Sequence, residues 1–228
     1  MNIISAGAAK GLLQTVAARE GINFTGEFGA VGAMRERLNS GAVCDVIVLT
    51  DTMIAELAMK DAVDAGSVIA LGKVKTGVAV PSGAIPARVD TVASLKQRLS
   101  NASRIYFPDP ERATAGIHFM KVLTALGLSE SHRERFATFP NGATAMRAMA
   151  DSGDTLAVGV TQCSEILYTE GVQLLGALPG EFELTTIYSA AITTKAINRG
   201  TANRLISALA SASHQMTRSA AGFEAIDS

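Results

Sequence analysis

The feature that most constrains this chain is an alternation of β-rich apolar runs with helical patterns, kept up almost from end to end. Ile3-Ile4 opens a short strand, and Leu12, Leu13, Val16 and Ala17 then recur at helical spacing. Ile22-Asn23-Phe24 with Phe28 reads as a second strand, and Met34 and Leu38 mark a second helix ended by Gly41. Asp45-Val46-Ile47-Val48-Leu49 is a continuous apolar strand, the pattern expected where both faces of a sheet are covered. Thr50 or Asp51 can cap the following helix, which carries Ile54, Leu57 and Ala58. Val74 to Val80 reads as a strand closed by Pro81-Ser82-Gly83, Val92 and Leu95 as a short helix, and Ser103 to Phe107 as a strand. Ile117, Val122, Leu123 and Leu126 lie on one helical stripe ended by Gly127. Thr155 to Val160 is a strand entering a helix with Ile166 and Leu167, Val172–Leu175 and Thr185–Ile192 are later strands, and a last helix runs from about Thr201 to Met216.

Repeated β-α-β units imply an α/β fold of mixed, mostly parallel sheets with helices on both faces. The region after Gly72 begins a second lobe, and the strand near Tyr188 returns to the first. The expected organisation is a discontinuous first lobe, 1–78 plus 189–228, and a second lobe, 79–188, with a hinge at the two crossovers.

Composition narrows the function classes. Hydrophobic residues make up 48% and charged residues 18% of the 228, which describes a packed protein with room for one large or two modest cores. Twenty Lys+Arg against 21 Asp+Glu, without a long basic block, argue against nucleic acid as a partner. Aromatics are only 5% and Trp is absent, which disfavours a sugar platform or base-stacking surface. No apolar run approaches the roughly 20 residues that span a bilayer, so no direct membrane insertion is expected. Met1 to Ala6 runs straight into the first strand and lacks the features of a secretory leader. The expected compartment is therefore the periplasm if a leader has been removed, and the cytoplasm if Met1 is the native start. Cys44 and Cys163 have neither CxxC nor CxxH spacing, and Cys44 reads as a small hydrophobe beside a strand.

Open α/β sheets bind ligands beyond the carboxyl ends of their strands, so the strand-to-helix loops are where chemistry belongs. Four are rich in small residues: Ala6-Gly7-Ala8-Ala9-Lys10, Gly29-Ala30-Val31-Gly32, Pro108 to Gly116, and Gly159-Val160-Thr161-Gln162. Small side chains admit a ligand to the N–H groups of a helix start, where the dipole favours negative charge. Any one such loop could be merely a tight turn; four in one chain favour a site. Arg112 could grip a carboxylate with two hydrogen bonds, and Lys10 could neutralise charge at the first loop, although both also suit a solvated surface. Arg35 and Arg37 belong to an exposed helical face.

Pro108-Asp109-Pro110-Glu111-Arg112-Ala113-Thr114-Ala115-Gly116 resembles the "DPE…AG" loop of the periplasmic molybdate-binding proteins. Ser40 to Val46 followed by Thr50-Asp51 is similar to that family's "GAPADLF…AD" segment, and Ser5 to Ala9 and Ile187-Tyr188-Ser189 fall in register. The resemblance covers nearly the whole chain. It implies a two-lobed type II periplasmic-binding-protein fold that closes about a hinge on a solute held in the cleft, as the substrate-binding component of an ABC transporter with a permease partner. Carried over residue by residue, it implies ligand contacts at Ala8, the Gly29–Gly32 loop, Ala115, the Gly159-Val160 loop and Tyr188; together with the loop and cation readings above, the expected ligand site is Ala8, Ala9, Lys10, Ala30, Val31, Gly32, Arg112, Thr114, Ala115, Gly159, Val160 and Tyr188. Molybdate-binding members place serine hydroxyls at the first two loops, where this chain has Ala8 and Gly29-Ala30-Val31-Gly32. An oxyanion needs a dense shell of donors, so the expected ligand is a small anion, with a small organic acid favoured over a tetrahedral oxyanion.

An enzyme is the main rival. GxSxG, GxxxxGK[ST] and HExxH are absent, and Gly26…Gly29…Gly32 is not a GxGxxG fingerprint. His118 is the one histidine near a candidate loop, more simply read as a packing residue, and Asp109 and Glu111 read as helix-capping acids. Neither a catalytic residue, a metal cluster nor a cofactor is expected. A cytosolic metabolite sensor, or an enzyme of small-acid catabolism on the same scaffold, is the alternative.

Overall fold

The computed structural model describes residues 1–226. Along the chain it forms β1 (Asn2–Ala6), α1 (Lys10–Arg19), β2 (Thr25–Gly29), α2 (Val31–Asn39), β3 (Val46–Thr50) and α3 (Asp51–Met59). Then come β4 (Ile69–Pro81), α4 (Val92–Asn101), β5 (Ile105–Pro108), α5 (Thr114–Ala125), β6 (Phe136–Phe139) and α6 (Gly142–Asp151). The chain ends with β7 (Val158–Gln162), α7 (Cys163–Tyr168), β8 (Val172–Ala177), β9 (Thr185–Ile192), α8 (Arg199–Ala210) and α9 (Gln215–Ala220). The fold is thus α/β with mixed sheets, divided into two compact units. Unit 1 is Met1–Val74 with the chain from Thr186 onward, and unit 2 is Lys75–Thr185.

In unit 1 the strand order is β2-β1-β3-β9. The first three are parallel and β9 runs against β3, in a register that sets Thr50 opposite Tyr188. Val46 to Leu49 are fully buried, as a strand covered on both faces requires. Leu12, Leu13 and Val16 of α1 pack with them, as do Ile54 of α3 and Leu205 and Leu209 of α8. Asp45 is buried at the foot of β3. Its carboxylate accepts hydrogen bonds from the N–H groups of Asn2 (2.7 Å), Ile197 (2.8 Å) and Asn198 (2.8 Å) and from the Asn198 amide (3.0 Å). One side chain therefore ties the entry to β1 to the start of α8.

In unit 2, β5 lies between β6 and β7, parallel to both, while β4 runs antiparallel to β7 and β8. One core, on the α4 and α5 side, is built on Phe107, Phe119, Leu95, Leu99 and Leu123, with Phe119 and Phe136 edge-on to the Phe107 ring. A second, on the α6 side, gathers Met146, Met149, Tyr106 and Ile166. Gly116 is required where α5 crosses the end of β5, because a Cβ there would lie 2.3 Å from the carbonyl oxygens of Pro108 and Asp109.

Several expectations need correction. Residues 22–24 are a connector after the left-handed Gly21 (φ +61°), and the strand begins at Thr25. Residues 155–157 form a turn held by Asp154, which accepts from the Leu156 N–H at 2.9 Å, so that strand begins at Val158. β6 and α6 have no counterpart in the sequence reading. Ile117 and Leu167 are exposed, and Phe119 takes the place on the α5 stripe given to Ile117. The last helix breaks at Ser211, whose backbone is extended and whose hydroxyl accepts from the Ser213 N–H. Arg218 donates to the carbonyls of Leu209 and Ser211, so the broken end of α8 keeps its acceptors satisfied. Gly41 (φ +87°) and Gly127 (φ +72°) do sit just past helices, in the left-handed conformation that ends them.

Candidate functional site

The parallel strands β1, β2 and β3 bring three helix starts to one edge of unit 1, and β5, β6 and β7 bring three to one edge of unit 2. The first N–H groups of a helix have no partner within it and need an acceptor. In three of these helices, α3, α6 and α7, the chain supplies an acid or a cap, α7 with Glu165 in its first turn. α3 begins on Asp51, whose carboxylate also accepts from the Ser189 hydroxyl at 2.6 Å. α6 is capped by Asn141, which accepts from the Thr144 N–H at 2.9 Å, and its Ala143 N–H points to the Glu165 carboxylate.

The other pattern occurs at α1, α2 and α5. Their N-cap residues are Ala9, Ala30 and Ala113, and none receives a side-chain cap. Alanine is among the poorest residues at this position, costing about 1 kcal/mol against Ser or Asp. At α1 the preceding 3-10 turn takes the Lys10 N–H onto the Gly7 carbonyl, whereas α2 and α5 start on extended alanines and leave first-turn N–H groups to whatever negative charge arrives there.

The sequence-derived residues fall around these starts. Ala8 and Ala9 lie in the 3-10 turn before α1, buried. Lys10 opens α1, half-buried, with Nζ 5.7 Å above the Phe28 ring, so its charge lies between the ends of β1 and β2. Ala30 is the N-cap of α2, Val31 faces the unit 1 core and Gly32 lies in the first turn. Tyr188 enters the same edge from β9 opposite Thr50, buried with its ring edge-on to Phe223.

In unit 2, Thr114 and Ala115 form the first turn of α5, and Arg112 is exposed in the loop before it. Asp109 does not cap α5. Its carboxylate accepts from the N–H groups of Glu111 (2.7 Å) and Arg112 (3.1 Å) and so shapes the loop. The Gly159–Gln162 stretch is strand throughout. Val160 faces the core and Gly159 lies under Met146 and Met149 of α6, so the loop that the sequence placed here begins only after Gln162. His118 is a packing histidine whose Nε2 lies 2.8 Å from the Phe182 carbonyl. Arg35 and Arg37 pair with Glu56 and Glu27.

The polar residues around that point form no recognisable motif in the sequence. Glu165 is buried and accepts from the Thr161 hydroxyl at 2.5 Å. Burial pushes its carboxyl up to about 7, against the pull of hydrogen bonds from Thr161 and the N–H groups of Ala143 and Gln162. The Thr76 and Ser164 hydroxyls are buried without a hydrogen-bond partner. A hydroxyl in the run Lys75-Thr76-Gly77-Val78-Ala79-Val80 was the available signal. Cys44 and Cys163 are both buried thiols, and burial pushes the Cys44 thiol up to about 12. Among the described residues, no group of three His, Cys, Asp or Glu is arranged to hold a metal, and no helix is long and apolar enough to cross a membrane.

The fold is that of solved periplasmic binding proteins. The periplasmic molybdate-binding protein of Azotobacter vinelandii superposes with a TM-score of 0.81 at 19% identity over 100% of both chains. The sulfate-binding protein of Mycobacterium tuberculosis does so with a TM-score of 0.71 at 15% identity, covering 100% of this chain and 87% of that one. A curated relative, an aconitate isomerase of Pseudomonas sp, is 24% identical over 180 residues, which is 78% of this chain and 66% of that protein. The family model for bacterial extracellular solute-binding proteins matches residues 2–224. This chain belongs to the bacterial extracellular solute-binding protein family.

Proposed function

We propose that this chain is the solute-binding component of an ABC transporter, acting outside the cytoplasmic membrane, and that its solute is a small organic acid. The bare, alanine-started helices α2 and α5 carry the reading. Each presents N–H donors at the carboxyl edge of its own unit, where a carboxylate completes the hydrogen bonding that no cap provides. Ala8 and Ala30 bring no hydroxyl to complete a shell around a tetrahedral oxyanion, which favours a solute with one anionic end and some apolar body. Lys10 adds positive charge at the unit 1 edge, and Arg112 and Tyr188 are carried in this reading as further contacts.

Ala30→Asp tests it. Ala30 already has the extended backbone of an N-cap (φ −61°, ψ 141°), so an aspartate there caps α2 and places its own carboxylate where the solute's would go. The variant is expected to melt no lower than the wild type and to bind anions at least tenfold more weakly. Unchanged affinity would remove α2 from the site.

The similarity to an aconitate isomerase supports a second reading, in which the same scaffold isomerises a small unsaturated tricarboxylate. Proton NMR of purified protein incubated with trans-aconitate separates the two. Accumulation of the cis isomer supports catalysis, and an unchanged spectrum with saturable binding supports capture.

A further inference from the structure

We propose that the hydroxyls of Thr76 and Ser164 form a subsite of unit 2 that hydrogen-bonds the solute's carboxylate oxygens, an inference that rests on the organic-acid reading above. Thr76 lies in β4, directly opposite Gln162 of β7, and Ser164 follows Gln162 by two residues in α7. Both therefore sit around the carboxyl end of β7, the edge at which an open α/β sheet binds its ligands. Thr76 is fully buried and Ser164 is 2% exposed, yet neither hydroxyl has a hydrogen-bond partner.

Packing alone does not account for them. Burying a hydroxyl without a partner is unfavourable, and folded proteins seldom leave one so. A serine or threonine commonly relieves the cost by bonding a nearby backbone carbonyl, as Thr169 does to the Glu165 carbonyl at 2.7 Å. Thr76 and Ser164 do not. At Thr76 a threonine is also the wrong choice for packing. Val74, Val78 and Val80 occupy the alternate positions on the same face of the strand, all buried. Valine has nearly the same shape and would fill the site without a polar atom to satisfy. Threonine there is explained by a partner that arrives from outside the chain.

Thr76→Val and Ser164→Ala, made in the full chain, test the subsite through two readouts. The first is the melting temperature without ligand, and the second is isothermal titration with trans-aconitate and citrate. Removing an unsatisfied buried hydroxyl should leave the melting temperature unchanged or raised, while each loss weakens carboxylate binding about tenfold. Thr76→Ser keeps the hydroxyl and should retain the wild-type affinity, which guards against loss of binding through misfolding. Carboxylate affinity within twofold of wild type in both Thr76→Val and Ser164→Ala overturns the subsite; if the melting temperature has also fallen, the hydroxyls serve internal waters. A wild-type protein that binds neither acid overturns the organic-acid reading itself, and the subsite with it.

Discussion

Asp45→Ala removes the acceptor for four hydrogen bonds, three from backbone N–H groups and one from the Asn198 amide, at a site where the side chain is fully buried. Bonds to a charged acceptor contribute about 1.5–3 kcal/mol each but are far from additive. Ile197 and Asn198 are exposed and can regain water, whereas Asn2 is only partly exposed. A net loss of about 3–5 kcal/mol follows, and a chain of this size loses roughly 2–4 °C in Tm per kcal/mol, so a drop of about 6–20 °C is expected. Asp45→Asn keeps the shape but turns an NH2 toward the donors, and should cost about half as much. Burial opposes the charge on Asp45, but the N–H groups of Asn198, Asn2 and Ile197 and the Asn198 amide outweigh it and hold the carboxyl below its ordinary value. The folded state thus ionises more readily than the unfolded one. The contribution of Asp45 is complete above pH about 4 and is lost as pH falls through its depressed native value. Urea unfolding of wild type and Asp45→Asn from pH 7 down to pH 3 measures this. A gap between them that is absent at pH 7, or that fails to narrow at the acid end, would refute the role given to the carboxylate.

Gly116→Ala places a Cβ against two backbone carbonyls that cannot move without shifting α5 off β5. A loss of about 2–4 kcal/mol in urea unfolding is expected, together with weaker anion binding, since the first turn of α5 moves. Glu165→Gln tests the opposite linkage to Asp45. With its carboxyl raised to about 7, the folded chain holds a proton that the unfolded chain has released, so stability declines as pH rises from about 4.5 to about 7. The Gln variant escapes that decline. It should gain on wild type by about 1.4 kcal/mol per pH unit across the window and hold level above it; a gap constant with pH would contradict the assignment.

Much of the fold was legible because its signals are local and strong. Val46 to Leu49 could only be a strand covered on both faces, and Gly41 and Gly127 punctuate helices where the backbone turns left-handed. β6 and α6 were illegible for the opposite reason. β6 is a four-residue edge strand, largely half-buried, and α6 mixes small residues with methionines whose burial depends on unit 2 as a whole. The break in the last helix was hidden because Ser211 suits a helix surface as well as a cap, and only Arg218, seven residues on, secures the broken end.

The candidate site was partly readable, since alanine and glycine at strand-to-helix loops announce bare helix starts. Whether a helix start is bare is a tertiary fact, however. α6 carries small residues too, but a carboxylate from α7 and a cap from Asn141 meet its N–H groups. The same limit hid Thr76, because a threonine in a strand is ordinary until its hydroxyl is found buried with no partner.

Isothermal titration of the wild-type protein with trans-aconitate, citrate, molybdate and a neutral sugar tests the central claim most directly. At least one carboxylate should bind with a micromolar or tighter Kd, molybdate far more weakly, and the sugar not at all. Tight molybdate binding with no heat from either carboxylate would contradict the assignment of this chain to small organic acids.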